Sequence, residues 1–123
     1  MPIGILIIDD SAEIRCMLKS WLESDDKLLV CGEASDGAEG VEKALQLKPD
    51  VIVLDFSMPG MNGLETATAL QTAMPTVPII MLTLYADSEL AHQALDAGVS
   101  TILSKMEEMS VLCDEVGRLA GAH

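Results

Sequence analysis

Five side chains in this 123-residue sequence stand where chemistry is done rather than where packing is done: Asp9, Asp10, Asp55, Thr83 and Lys105. Each follows a short apolar run, 3–8 before the aspartate pair, 51–54 before Asp55, 79–82 before Thr83 and 101–103 just before Lys105. Three carboxylates gathered at one point repel one another, and a hard divalent cation resolves the conflict, because Mg2+ takes oxygen ligands in an octahedral shell. The acids therefore predict a site for Mg2+ (or Mn2+). A lysine ammonium and a threonine hydroxyl beside such an ion would, with it, surround a small dianion such as a phosphoryl group. The chemistry this predicts is phosphoryl chemistry.

Each residue also has an ordinary role. Asp10-Ser11-Ala12-Glu13 fits a capping box at the start of a helix, and Asp55 ahead of Ser57-Met58-Pro59-Gly60 fits a turn. Thr83 could bond locally to backbone and Lys105 could be a solvated charge, although it would sit at the unfavourable positive end of the helix that follows. All of these readings must hold at once, at four strand ends, for the site to vanish. The set is read as functional.

The elements that must position these residues are legible in the hydrophobic pattern. The runs 3–8, 28–31, 51–54, 79–82 and 101–103 are strand-length and rich in branched side chains. They lack polar alternation, which predicts five parallel strands covered on both faces. Ile14, Met17, Leu18, Trp21 and Leu22 recur at helical spacing and predict a helix over 12–24. Further helices are predicted over 38–47, 63–74, 87–97 and 107–120, with Gly98 stopping the fourth. Strict alternation gives a doubly wound α/β sandwich, whose ligands bind beyond the carboxyl ends of the strands. The chemically notable residues occupy those ends.

The length predicts one domain over 1–123 and no second, and 50% apolar content suffices for a core without disulfides. Seven Lys and Arg against twenty Asp and Glu give a net charge of -13, which repels phosphate backbones, and three aromatics offer no stacking platform. Direct nucleic-acid binding is not expected. Cys16, Cys31 and Cys113 show no metal or redox spacing and read as small buried or incidental thiols of a reducing compartment. No run reaches the ~20 residues of a membrane span and no signal region precedes the first strand, so the expected location is the cytoplasm. His92 and His123 lack partners at ligand spacing, Asp25-Asp26 and Glu107-Glu108 read as solvated helix-end acids, and the eight methionines read as core filling.

The segments ILIIDD at 5–10, VLDFSMPGMNGLE at 53–65, MLT at 81–83 and DAGVSTILSK at 96–105 resemble, in order, the receiver domain of two-component response regulators. The resemblance implies a flavodoxin-like (βα)5 fold with strand order 2-1-3-4-5. It implies Asp55 as phosphoacceptor, with Asp10, Asp55 and the Ser57 carbonyl as direct Mg2+ ligands and Asp9 as a ligand through water. It also implies Thr83 and Lys105 as contacts of the phosphoryl oxygens. The expected donor is a sensor histidine kinase or phosphotransfer protein, and a homodimer formed on phosphorylation is a further expectation. The SMPGMNGLE run looks most like receivers that precede a helix-turn-helix DNA-binding domain, so the expected output is transcription. A stand-alone receiver acting by protein-protein contact is the alternative.

Two positions depart from the resembled pattern. Ile102 stands where the family usually has a switching Tyr or Phe, and Met106 where proline commonly follows the lysine. Tyr85 falls where the resemblance places a residue that screens the acyl phosphate from water. Output is therefore expected from backbone movement over 83–89 rather than from residue 102. A haloacid-dehalogenase-like phosphatase would need an acid where Ser11 stands, and a flavodoxin-like flavin module would place its phosphate against Asp9 and Asp10. Both rivals fit poorly.

Overall fold

Elements follow one another as β1 (Ile3–Ile8), α1 (Ala12–Leu22), β2 (Leu28–Ala34), α2 (Gly37–Leu47), β3 (Val51–Asp55), α3 (Gly63–Ala73), β4 (Ile79–Thr83), α4 (Ser88–Asp96), β5 (Thr101–Ser104) and α5 (Met109–Gly121). The computed structural model describes residues 2–56, 62–83, 88–104 and 109–121. The strands form one sheet in the order β2-β1-β3-β4-β5, every neighbouring pair parallel.

Successive side chains of a strand point to opposite faces, so an unbroken apolar run feeds two cores. Ile5, Ile7, Val51, Val53, Ile80 and Leu82 pack on one face against Leu18 and Leu22 of α1 and Leu112 and Val116 of α5. Leu6, Ile8, Ile52, Leu54, Ile79 and Met81 pack on the other against Ala44 of α2, Ala67 and Leu70 of α3 and Ala94 of α4. The central strands β3 and β4 are buried throughout. Each aliphatic side chain so buried contributes about 1.5–3 kcal/mol. The doubly wound reading holds.

The edge strand β2 runs three residues past the predicted run, through Gly32, Glu33 and Ala34. A strand with one open edge tolerates such breaks. Its register against β1 shifts so that Ile5 faces Val30 while Leu6 faces Gly32, leaving Cys31 as a bulge. On its open side, the Val30 N–H donates to the Glu23 carboxylate at 3.0 Å.

The first helix keeps its predicted start, but Met17 and Trp21 are both 45% exposed. Leu18 and Leu22 are buried, with Ile14 packed on the same cluster, so the line i, i+4, i+8 makes the sheet contact. Met17 and Trp21 fall on its flank. Of the methionines, Met81 is fully buried, Met74 packs against a core and Met17 is exposed, so core filling describes two of the three whose side chains are described. At the end of α4, Gly98 takes φ 97, while its N–H donates to the Leu95 carbonyl and the Val99 N–H to the Ala94 carbonyl. That left-handed turn requires glycine and stops the helix as predicted.

Candidate functional site

Register carries the notable residues to one end of the sheet. Ile8 pairs with Leu54, so Asp9 emerges beside Asp55 at the point where the strand order turns from β1 to β2 on one side and β3 on the other. Asp55 pairs with Leu82, which places Thr83 one residue further along the neighbouring strand, and Thr83 pairs with Ser104. Lys105 follows Ser104 in sequence and, like Ser57, Tyr85 and Met106, lies outside the described residues.

Asp9, Asp55 and Thr83 are 1%, 3% and 7% exposed, whereas Asp10 faces solvent. One carboxylate oxygen from each of Asp9, Asp10 and Asp55 lies within 4.8 Å of the other two. Two buried carboxylates and one exposed one so close together form an all-oxygen donor set, which suits a hard divalent cation and does not suit the soft or nitrogen-loving transition metals. The donor chemistry fits Mg2+.

The turn carrying the aspartate pair is fastened at several points. The Asp9 N–H donates to the Ala34 carbonyl at 3.0 Å and the Asp9 carboxylate accepts from the Ser11 N–H at 2.9 Å. Helix α1 is capped by Ser11, whose hydroxyl accepts from the Ile14 N–H at 3.3 Å. The capping role weighed for Asp10 therefore belongs to its neighbour, and the Asp10 carboxylate is left to the acid cluster. Behind the turn, the Arg15 guanidinium donates to the Asp9 carbonyl at 2.7 Å and to the Glu33 carboxylate at 3.2 Å.

Phe56, directly after Asp55, is held through both of its main-chain polar groups. The Phe56 N–H donates to the Leu82 carbonyl at 2.9 Å, and the Phe56 carbonyl accepts from the Gly63 N–H at 2.8 Å. Asn62 and Glu65 form a reciprocal capping box that starts α3. A side chain at residue 63 would put its Cβ 2.6 Å from the Phe56 Cα and 3.0 Å from the Asp55 carbonyl oxygen. Glycine lets α3 begin directly against the end of β3.

Ile102 is half-buried and packs against the cluster shared by α2, α3 and α4. His92 is exposed on α4. Cys16 is exposed, while Cys31 and Cys113 are partly buried, and desolvation is the leading cause that pushes both of these thiols up. Sequence reasoning missed Arg15. Its signal was a cation one turn into a helix, at the dipole's positive end, which is the argument that singled out Lys105.

Among the described residues no helix is long and apolar enough to cross a membrane. The chain is 33% identical over 116 residues to the response regulator protein VraR of Staphylococcus saprophyticus, covering 94% of this chain and 56% of that protein. It thus spans little more than half the length of that relative. Its fold superposes on the response regulator domain of Thermotoga maritima CheB with a TM-score of 0.91 at 31% identity, covering 98% of each chain. The chemotaxis response regulator CheY4 of Vibrio cholerae superposes with a TM-score of 0.84 at 30% identity, covering 97% of this chain and 99% of that one. The model of the response regulator receiver domain matches residues 5–117, nearly the whole chain, and this protein belongs to that family of signalling domains.

Proposed function

We propose that this receiver takes a phosphoryl group onto Asp55 from the phosphohistidine of a sensor kinase or phosphotransfer protein. The observation that carries the reading is the convergence of Asp9, Asp10 and Asp55 within 4.8 Å at the strand-order switch point, with Thr83 one strand away. Asp10, Asp55 and the Ser57 carbonyl would hold Mg2+ directly and Asp9 through water. When bound, the ion supplies positive charge that screens the acids and the incoming phosphoryl oxygens. An Asp55 carboxylate oxygen attacks phosphorus as the bond to the histidine nitrogen breaks; the electron pair stays on that nitrogen, which takes a proton from solvent. The Thr83 hydroxyl and the Lys105 ammonium donate hydrogen bonds to the oxygens of the transferred group. Hydrolysis of the acyl phosphate in the same site resets the switch.

The new charge and acceptor oxygens would draw Thr83 inward and move the β4–α4 connection. Ile102 has no ring to swing into the space this opens, so the change is carried by backbone. The output we propose is transcription, through a helix-turn-helix domain in a longer protein, and the receiver itself, 1–123, makes no direct nucleic-acid contact. A cytoplasmic location follows from a kinase donor. The test is incubation with a small phosphodonor and Mg2+, then intact-mass measurement and mapping of the modified residue. One phosphoryl group on Asp55, lost in Asp55→Asn and without divalent cation, is expected. Full labelling of Asp55→Asn would overturn the assignment.

A further inference from the structure

The chain has seven Lys and Arg in all, and one of them is spent behind the acid cluster. The Arg15 side chain is 18% exposed, on the first turn of α1, where the helix dipole disfavours a cation. It has a compensating task. Its Nη1 donates to the Asp9 main-chain carbonyl at 2.7 Å while its Nε donates to the Glu33 carboxylate at 3.2 Å. Glu33 is itself fastened, because its main-chain carbonyl accepts from the Lys43 ammonium of α2. Lys43 also lies 3.9 Å from Glu39, whose carboxylate accepts from the Ser35 N–H at 2.6 Å. Hydrogen bonds from the Ser35 N–H and hydroxyl hold the Glu39 carboxyl below its ordinary range. The network lines an open cleft of about 350 Å3 beside the end of β2.

The Asp9 main chain is thereby held at both of its polar groups, its N–H on β2 directly and its carbonyl on β2 through the guanidinium and Glu33. We propose that Arg15 is a positioning residue of the metal centre: it fixes the Asp9-Asp10 turn so that both carboxylates face Asp55, and its fork cannot be replaced by a point charge. The proposal rests on the Mg2+ reading above. Groups that hold a ligand in place from behind affect metal affinity by roughly 10–100-fold, and an effect of about 10-fold is expected here.

Charge and position predict opposite results, which makes the idea testable. A cation near a metal site weakens metal binding by repulsion, so if Arg15 acted through its field alone, Arg15→Gln would bind Mg2+ more tightly and Arg15→Lys as the wild type does. If Arg15 acts by position, both variants bind about 10-fold more weakly. Glu33→Ala, which releases the other end of the bridge, should weaken binding too, and the double variant Arg15→Gln/Glu33→Ala should be little worse than Arg15→Gln alone. Mg2+ affinity is read by calorimetry, with the metal-free melting temperature of each variant recorded beside it. A structural role alone would lower that temperature and leave the affinity unchanged. Wild-type affinity in Arg15→Lys, with affinity lost in Asp10→Ala, overturns the positioning role and spares the metal reading. Absence of binding by the wild type overturns both.

Discussion

Neutralising Asp10 should make the metal-free protein more stable and the metal-bound protein less so. The exposed Asp10 carboxylate comes within 4.8 Å of oxygens on two buried carboxylates. At that separation two unit charges repel by about 0.9 kcal/mol in bulk water and about 3.5 kcal/mol at an effective dielectric of 20. Because Asp10 faces solvent, the lower end applies, and with two neighbours the relief in Asp10→Asn is about 2 kcal/mol. For a domain of this size that raises the metal-free melting temperature by about 8 °C. Mg2+ acts in the opposite sense: binding to the folded state alone stabilises by about 2.7 kcal/mol at a hundredfold excess over Kd. The wild type should gain that increment, whereas the variant, short of one anionic ligand, should gain little.

The two melting curves should therefore change order as Mg2+ is added. Circular dichroism melts in EDTA and across a magnesium chloride titration, with NaCl at matched ionic strength to remove general screening, provide the measurement. Two results together would refute the reasoning: a variant no more stable than wild type in EDTA, and equal shifts of both proteins with Mg2+. They would mean that the three acids neither repel significantly nor share an ion.

Gly63→Ala should cost about 1–3 kcal/mol and slow labelling of Asp55, because its Cβ would overlap the backbone of Asp55 and Phe56. Gly117→Ala in α5, where a Cβ meets nothing within 4 Å, should instead stabilise by about 0.4–1 kcal/mol, and urea unfolding of both variants checks this; equal effects would discredit the contact argument. Cys16 should react first with an aromatic disulfide reagent near neutral pH, since burial raises the thiols of Cys31 and Cys113 and keeps them protonated; mass mapping of the first adduct decides. Glu115 is held below its ordinary value of 4.5 chiefly by its hydrogen bond from Arg118. A depressed carboxyl contributes stability above its unfolded value and loses it as pH falls through the folded one, so Glu115→Gln should be slightly less stable than wild type at pH 7 and equal to it in acid. A gap that persists in acid would point to packing.

How far the sequence could be read depended on whether a feature was set by one segment or by two. The strands β1, β3 and β4 were legible because each is apolar on both faces, a property of a single run. The extension of β2 through Gly32-Glu33-Ala34 was not, because a strand at the sheet edge needs no such pattern. Met17 and Trp21 match the helical period but lie outside the arc that the sheet covers, and that arc depends on where α1 settles. The sequence pointed to Asp10 as the cap where the structure uses Ser11, because either residue has a suitable side chain and the turn after β1 decides between them.

The acid cluster was foreseeable for a reason that separates it from Arg15. Parallel strands in register bring every carboxyl end to one edge of the sheet, so knowing which residues follow the strands is enough to know that Asp9, Asp10, Asp55 and Thr83 meet. Arg15 reaches the same edge by turning back from the first turn of α1 toward Asp9, and its second anchor is on a strand segment that carried no periodic signal. The residues we propose to do chemistry at this site come from strand ends and obey topology. Arg15 comes from a helix face and reaches across to strand β2, so the packing of α1 on the sheet determines whether it arrives. At this site the acids can be read from a list of strand ends, whereas Arg15 is found only by asking why a cation stands on the first turn of a helix, against the dipole.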